Sequence, residues 1–164
     1  MTTDPVIGRP ADFWRYDRDI KWRALALAAF IAGCGNHDVV VAPDCTEGVR
    51  PITDALAHAP GDVRIRGSVR ISDCFKPAAS PADVQTLGAL FIEVTQGLAD
   101  RVRRAPRSRS AVQLGFLVGA VRRGAHTGVG VHYETERRIE QELVGLPTGT
   151  PQFRQGLAAG LRSG

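Results

Sequence analysis

Lysine is almost missing from this chain. Lys21 and Lys76 are the only two, and every other basic side chain is arginine. Arginine favours flat, bidentate contacts with carboxylate and phosphate, although a codon bias writes the same composition with no functional meaning. Aromatic residues are only 6% of the chain, which argues against a stacking platform for single-stranded nucleic acid. No apolar run reaches the roughly 18 residues of a membrane-spanning helix. Neither a GxGxxG nor a Walker pattern occurs, so nucleotide binding has no support and no cofactor is expected. The net charge of +4 falls short of a dedicated nucleic-acid binder.

What remains is an ordinary globular composition. The 164 residues are 43% apolar and 23% charged, enough for one domain with a core of its own. One local feature stands apart. Lys21-Trp22-Arg23 precedes ten apolar or small residues, Ala24 to Gly33, and then Cys34. A basic flank, a short apolar stretch and small residues form the pattern of an export signal. Ile31-Ala32-Gly33-Cys34 resembles the lipobox of bacterial lipoproteins, in which an aliphatic residue and two small ones precede a cysteine. That resemblance, confined to residues 20–34, implies lipidation of Cys34 as the first residue of the mature chain. The segment before it is long for a signal and carries four acids, Asp4, Asp12, Asp17 and Asp19. The competing reading is an N-terminal helix from about Ala11 to Gly33 with a buried end.

Cysteine parity bears on this choice. With Cys34 lipidated, Cys45 and Cys74 remain as an even pair, for which an oxidising compartment predicts one disulfide. In the cytoplasm all three would be reduced thiols.

Along the rest of the chain, Val39-Val40-Val41 reads as a short strand stopped by Pro43. Thr46 or Asp44 is a candidate cap for a helix over about Glu47–Ala59. Val63, Ile65, Val69 and Ile71 alternate with Arg64, Arg66, Ser68 and Arg70, which predicts one bent strand with Gly67 at the kink and a solvated arginine stripe. The alternative, a two-residue Gly67-Ser68 hairpin, would pair Ile65 with Arg70 and mix apolar and charged groups on one face.

Ser80-Pro81-Ala82-Asp83 supplies a cap, a first-turn proline and an acid for a long helix. Its stripe is Val84, Leu87, Phe91, Val94, Leu98 and Val102, and Pro106 ends it. A second helix starts at Ser108 or Ser110. Its small residues Ala111, Gly115 and Gly119 would let a neighbouring helix approach closely within a helical hairpin. Gly124–Tyr133 reads as a loop or short strand, and Glu134–Val144 as a charged helix with a Glu134–Arg138 pair. Thr150-Pro151 caps a last helix, expected to fray at its end.

Candidate chemistry is sparse. Cys34, His37, Cys45 and Cys74 form a conceivable ligand set for zinc or an iron–sulfur cluster, but only Cys34-x-x-His37 is tightly spaced. Asn36-His37-Asp38 resembles the Asn-His-Asp element of metallophosphoesterases, without that family's other metal-binding motifs. His126 and His132 lie near Glu134 and Glu136 without a nucleophile motif. The densest charge is Arg101, Arg103, Arg104, Arg107 and Arg109, a candidate surface for phosphates or anionic lipid head groups.

The expectation is therefore a mainly α fold: an antiparallel hairpin core, smaller helices and one or two short β-strands. Residues 1–33 form a signal and anchor segment or an N-terminal helix, and 34–164 a single helical domain. The expected function is that of a non-enzymatic, exported, lipid-anchored protein binding a protein or envelope component. The alternatives are a cytoplasmic arginine-rich protein binding nucleic acid or an acidic partner, and a metal-dependent hydrolase.

Overall fold

A computed structural model describes residues 41–75, 81–125 and 131–164, all within one compact unit. Residues 1–40, with the expected signal segment, Cys34, His37 and most of the Val39–Val41 strand, lie outside the described residues. So do Ser80, the expected cap, and His126.

The described chain is mainly helical. It forms α1 (Val49–Leu56), α2 (Pro81–Arg104), α3 (Arg109–Ala125), α4 (Val131–Glu142) and α5 (Pro151–Ser163), with 3-10 turns at Pro43–Cys45 and Ile71–Phe75. In α2 the stripe read from the sequence is the buried face: Val84, Leu87, Phe91, Val94, Leu98 and Val102 are all buried. Helix α3 is different, because nearly every residue from Ala111 to Val121 is buried, Gln113 being only partly covered. A helix apolar all round belongs in the centre of a fold. Accordingly α2, α4, α5, α1 and the Ile71–Phe75 turn all pack against α3. Phe75 and Phe91 meet edge to face there, with ring centroids 4.9 Å apart.

The glycine face of α3 does admit a close neighbour, but the neighbour is α5 rather than the hairpin partner α2. Gly115 and Gly119 lie against the backbone of Phe153, Leu157 and Leu161, while Gly156 and Gly160 of α5 lie against Val112, Phe116 and Ala120. Residue numbers rise together along the contact, so the two helices run parallel. A parallel pair needs a return path, and α4 with the 143–150 connection supplies it. Helix α4 in turn runs alongside α2 in the same direction: Gly88 faces Thr135, and Gln96 donates to Glu142 at 3.0 Å.

Several local expectations are corrected. No strand occurs among the described residues. Residues 63–71 instead hold an isolated antiparallel bridge between Ile65 and Val69, closed at 2.8 and 3.2 Å. Arg66 at φ +52 and Gly67 at φ +77 make the turn, the positive-φ pair that matches the twist of a tight hairpin. Gly67 therefore reverses the chain, and the three arginines form no strand stripe. Helix α1 starts at Val49 behind Gly48, with neither expected cap: Thr46 bonds the Pro43 carbonyl, and Asp44 accepts from Ser68. Gly124 and Ala125 end α3, and Val131 to Tyr133 belong to α4, which begins a turn earlier than expected.

The end of α5 is held rather than frayed. Thr150 accepts from the Phe153 amide at 3.3 Å at its start. At its finish Ser72 donates to the Gly164 carbonyl, and the Arg123 guanidinium donates to the carbonyls of Leu161 and Arg162.

A methyl group at Gly160 would overlap the Phe116 carbonyl oxygen and the Ala120 amide. Gly160→Ala is expected to lower the unfolding free energy by about 2 kcal/mol or more, overpacking outweighing the gain in helix propensity. Gly97→Ala, inside α2, meets nothing nearer than the Arg101 guanidinium at 3.8 Å and should stabilise by about 0.5–1 kcal/mol. Urea melts followed by circular dichroism compare the two, and effects of the same sign would refute the interlock.

Candidate functional site

Two of the four candidate metal ligands are bonded to each other. Cys45 and Cys74 form a disulfide with a Cα–Cα distance of 5.7 Å, and both are buried. It joins the Pro43–Cys45 turn to the Ile71–Phe75 turn, enclosing α1 and the Ile65–Val69 bridge. Those sulfurs are then closed to zinc or iron, and no cluster of metal-ligating side chains occurs among the described residues.

The disulfide braces one side of a cleft of about 700 Å³. Arg50, Asp54 and His58, spaced by four along α1 and the turn after it, form one wall. Arg64, Arg66 and Gly67 form the other, and Glu47 stands two residues from Cys45. The guanidiniums are held in place. Arg66 meets Glu47 at 2.6 Å, while Arg64 meets both oxygens of Asp62 at 3.0 and 3.1 Å and the Ser68 carbonyl at 3.2 Å. Arg50 is only 3.8 Å from Asp54 and its side chain is 93% exposed, so it is free to move. Fixed charges of both signs around an open space suit a small polar or charged ligand. Among the described residues, the lining has no hydroxyl or thiol group. Sequence reasoning missed this cleft, because its walls are brought together by the fold, as in the Glu47–Arg66 pair between residues 19 positions apart.

The arginine run is divided by the fold. Arg103 pairs with Asp100 at 2.7 Å, and Arg109 donates to the Ala57 carbonyl at the end of α1. Arg101, Arg104 and Arg107 are exposed, with no acidic partner among the described residues. The corner between α2 and α3 therefore presents three unpaired guanidiniums, not five.

A third feature is a groove of about 390 Å³ between α2 and α4, lined by Val84, Gly88, Ile92, Glu134, Thr135 and Arg138. The expected Glu134–Arg138 pair is present at 2.9 Å, and Arg137 joins it at 2.9 Å. Hydrogen bonds from Arg137 and then Arg138 draw the Glu134 carboxyl down to a pKa of about 2.

No family model, curated protein or solved structure matches this chain. Function has to be argued from these residues alone. Among the described residues, no helix is long and apolar enough to cross a membrane.

Two outcomes follow from this chemistry. Removing the disulfide as Cys45→Ser/Cys74→Ser reopens a loop spanning 29 positions and should lower stability by about 3–4 kcal/mol, read as a fall in the urea midpoint. An unchanged midpoint would mean that the bond constrains nothing. Glu134 has a folded pKa below its ordinary value of 4.5. Its contribution is therefore full above about 4.5 and lost as the pH falls towards about 2; exposure keeps that contribution small. An NMR titration of its carboxyl carbon should show the low midpoint, moving back towards 4.5 in Arg137→Gln/Arg138→Gln.

Proposed function

We propose that this chain is an exported protein, lipidated at Cys34, whose helical domain binds a partner at the cell envelope without catalysing a reaction. The observation that carries the reading is the buried Cys45–Cys74 disulfide. Stable disulfides belong to oxidising compartments and are rare in the cytoplasm. Of the chain's three cysteines, that bond leaves Cys34 alone, and Cys34 is the residue that ends the lipobox-like segment. An odd cysteine in an exported protein calls for a modification or an outside partner, and lipidation answers it.

Binding is favoured over catalysis by the character of the surface. Two of the α1 cleft's arginines, Arg64 and Arg66, are already neutralised by acids, an arrangement that positions a ligand more readily than it transfers protons. The arginine corner presents charge without acid–base partners.

Intact mass spectrometry of the membrane and soluble fractions of the native host tests the reading. The expected species is membrane-associated, begins at Cys34, carries acyl chains and gains one pair of hydrogens on reduction. Cys34→Ser should release the protein from the membrane fraction. A soluble full-length chain with three free thiols would overturn the proposal and favour the cytoplasmic alternative.

A further inference from the structure

Between Ala99 and Ala111 the chain has five arginines and one acid, Asp100. The fold accounts for two of them, Arg103 through Asp100 and Arg109 through the Ala57 carbonyl. Elsewhere arginines mostly face carboxylates: Arg64 with Asp62, Arg66 with Glu47, Arg122 with Glu140, Arg137 and Arg138 with Glu134. Arg101, Arg104 and Arg107 have no such partner among the described residues. They are exposed at the corner where α2 ends and α3 begins.

Beside this cluster lies an open apolar depression of about 680 Å³, lined by Ala105, Pro106, Arg107, Ser108, Pro147 and Thr150. Unpaired guanidiniums next to bare apolar surface match a ligand that is itself phosphate at one end and hydrocarbon at the other.

We propose that the α2–α3 corner is a docking surface for anionic phospholipid, with Arg101, Arg104 and Arg107 on headgroup phosphates and Pro106 and Pro147 against the interface. Nucleic acid fits less well, because among the described residues the corner offers no aromatic side chain for a base to stack on. The proposal rests on the lipid-anchor reading only for the nearness of a bilayer. The seven residue steps from Cys34 to Val41 span at most about 25 Å, so an anchored domain is held within reach of the headgroups. Weak individual contacts then suffice.

The test uses the full chain carrying Cys34→Ser, so that no acyl group contributes. Co-sedimentation is measured with phosphatidylcholine vesicles and with equimolar phosphatidylcholine–phosphatidylglycerol vesicles. Binding is expected on the anionic vesicles alone, weakening as salt is raised through the physiological range. Arg101→Gln/Arg104→Gln/Arg107→Gln should lower that affinity about 100-fold with no change in melting temperature. A charge-matched control, Arg122→Gln/Arg137→Gln/Arg162→Gln, should keep the affinity within a few-fold.

Equal binding to both vesicle types would overturn the proposal. So would equal losses in the two triple variants, or displacement of the vesicles by single-stranded RNA at matched phosphate concentration. The two readings fail separately. Unmodified Cys34 with intact vesicle binding removes the anchor and keeps the surface; lipidated Cys34 with no vesicle binding does the reverse.

Discussion

The contact between α3 and α5 is the constraint on which the rest of the domain is arranged. Gly115 and Gly119 on one helix and Gly156 and Gly160 on the other bring the two backbones so close that a single methyl group does not fit. Close approach turns the flanking side chains outward to other neighbours, and α3 has neighbours on every side. Leu114 and Phe116 to Val118 are all buried, which requires that α1, α2, α4 and the Ile71–Phe75 turn surround the pair. Because α3 and α5 run parallel, the chain between them must return along the molecule. The placement of α4 beside α2 follows from that path.

Arginine serves this architecture in two ways. Some guanidiniums close ion pairs between elements, as Arg122 does with Glu140 across α3 and α4. Others finish helices: Arg109 reaches the Ala57 carbonyl of α1, and Arg123 reaches the last carbonyls of α5. Both suit a planar group with several fixed donors that meets acceptors at helix ends. The α2–α3 corner differs in gathering three arginines that have no such employment among the described residues. The disulfide acts on the other side of the fold. It ties two short 3-10 turns that have little regular hydrogen bonding of their own and keeps the α1 cleft walls together.

Helix α2 was legible almost residue by residue, because its stripe from Val84 to Val102 has the period of a helix buried on one face. The Thr150 cap and the Glu134–Arg138 pair were legible for a related reason: each joins residues three or four apart. The Ile65–Val69 turn was not. Its alternating pattern is that of a strand, but no partner strand occurs among the described residues, and the positive φ of Arg66 and Gly67 turns the chain back to form one bridge. The candidate sites divide in the same manner. The arginine cluster is contiguous in sequence, yet which members are free depends on Asp100 and on an α1 carbonyl 52 positions away from Arg109. The α1 cleft left no sequence signal, as its two walls are brought together by the fold.

The sequence by itself determined the helical class, the extents of the long helices and the existence of small-residue faces on α3. These are local properties, set by periodicity, capping and the lack of side chains at glycine. Tertiary structure decided which helix the small face meets, that the pair runs parallel, that α5 is tied down at its end, and which arginines are left unpaired. Each of those depends on contacts between residues far apart in the chain, where a glycine or an arginine reads the same whatever comes to lie against it.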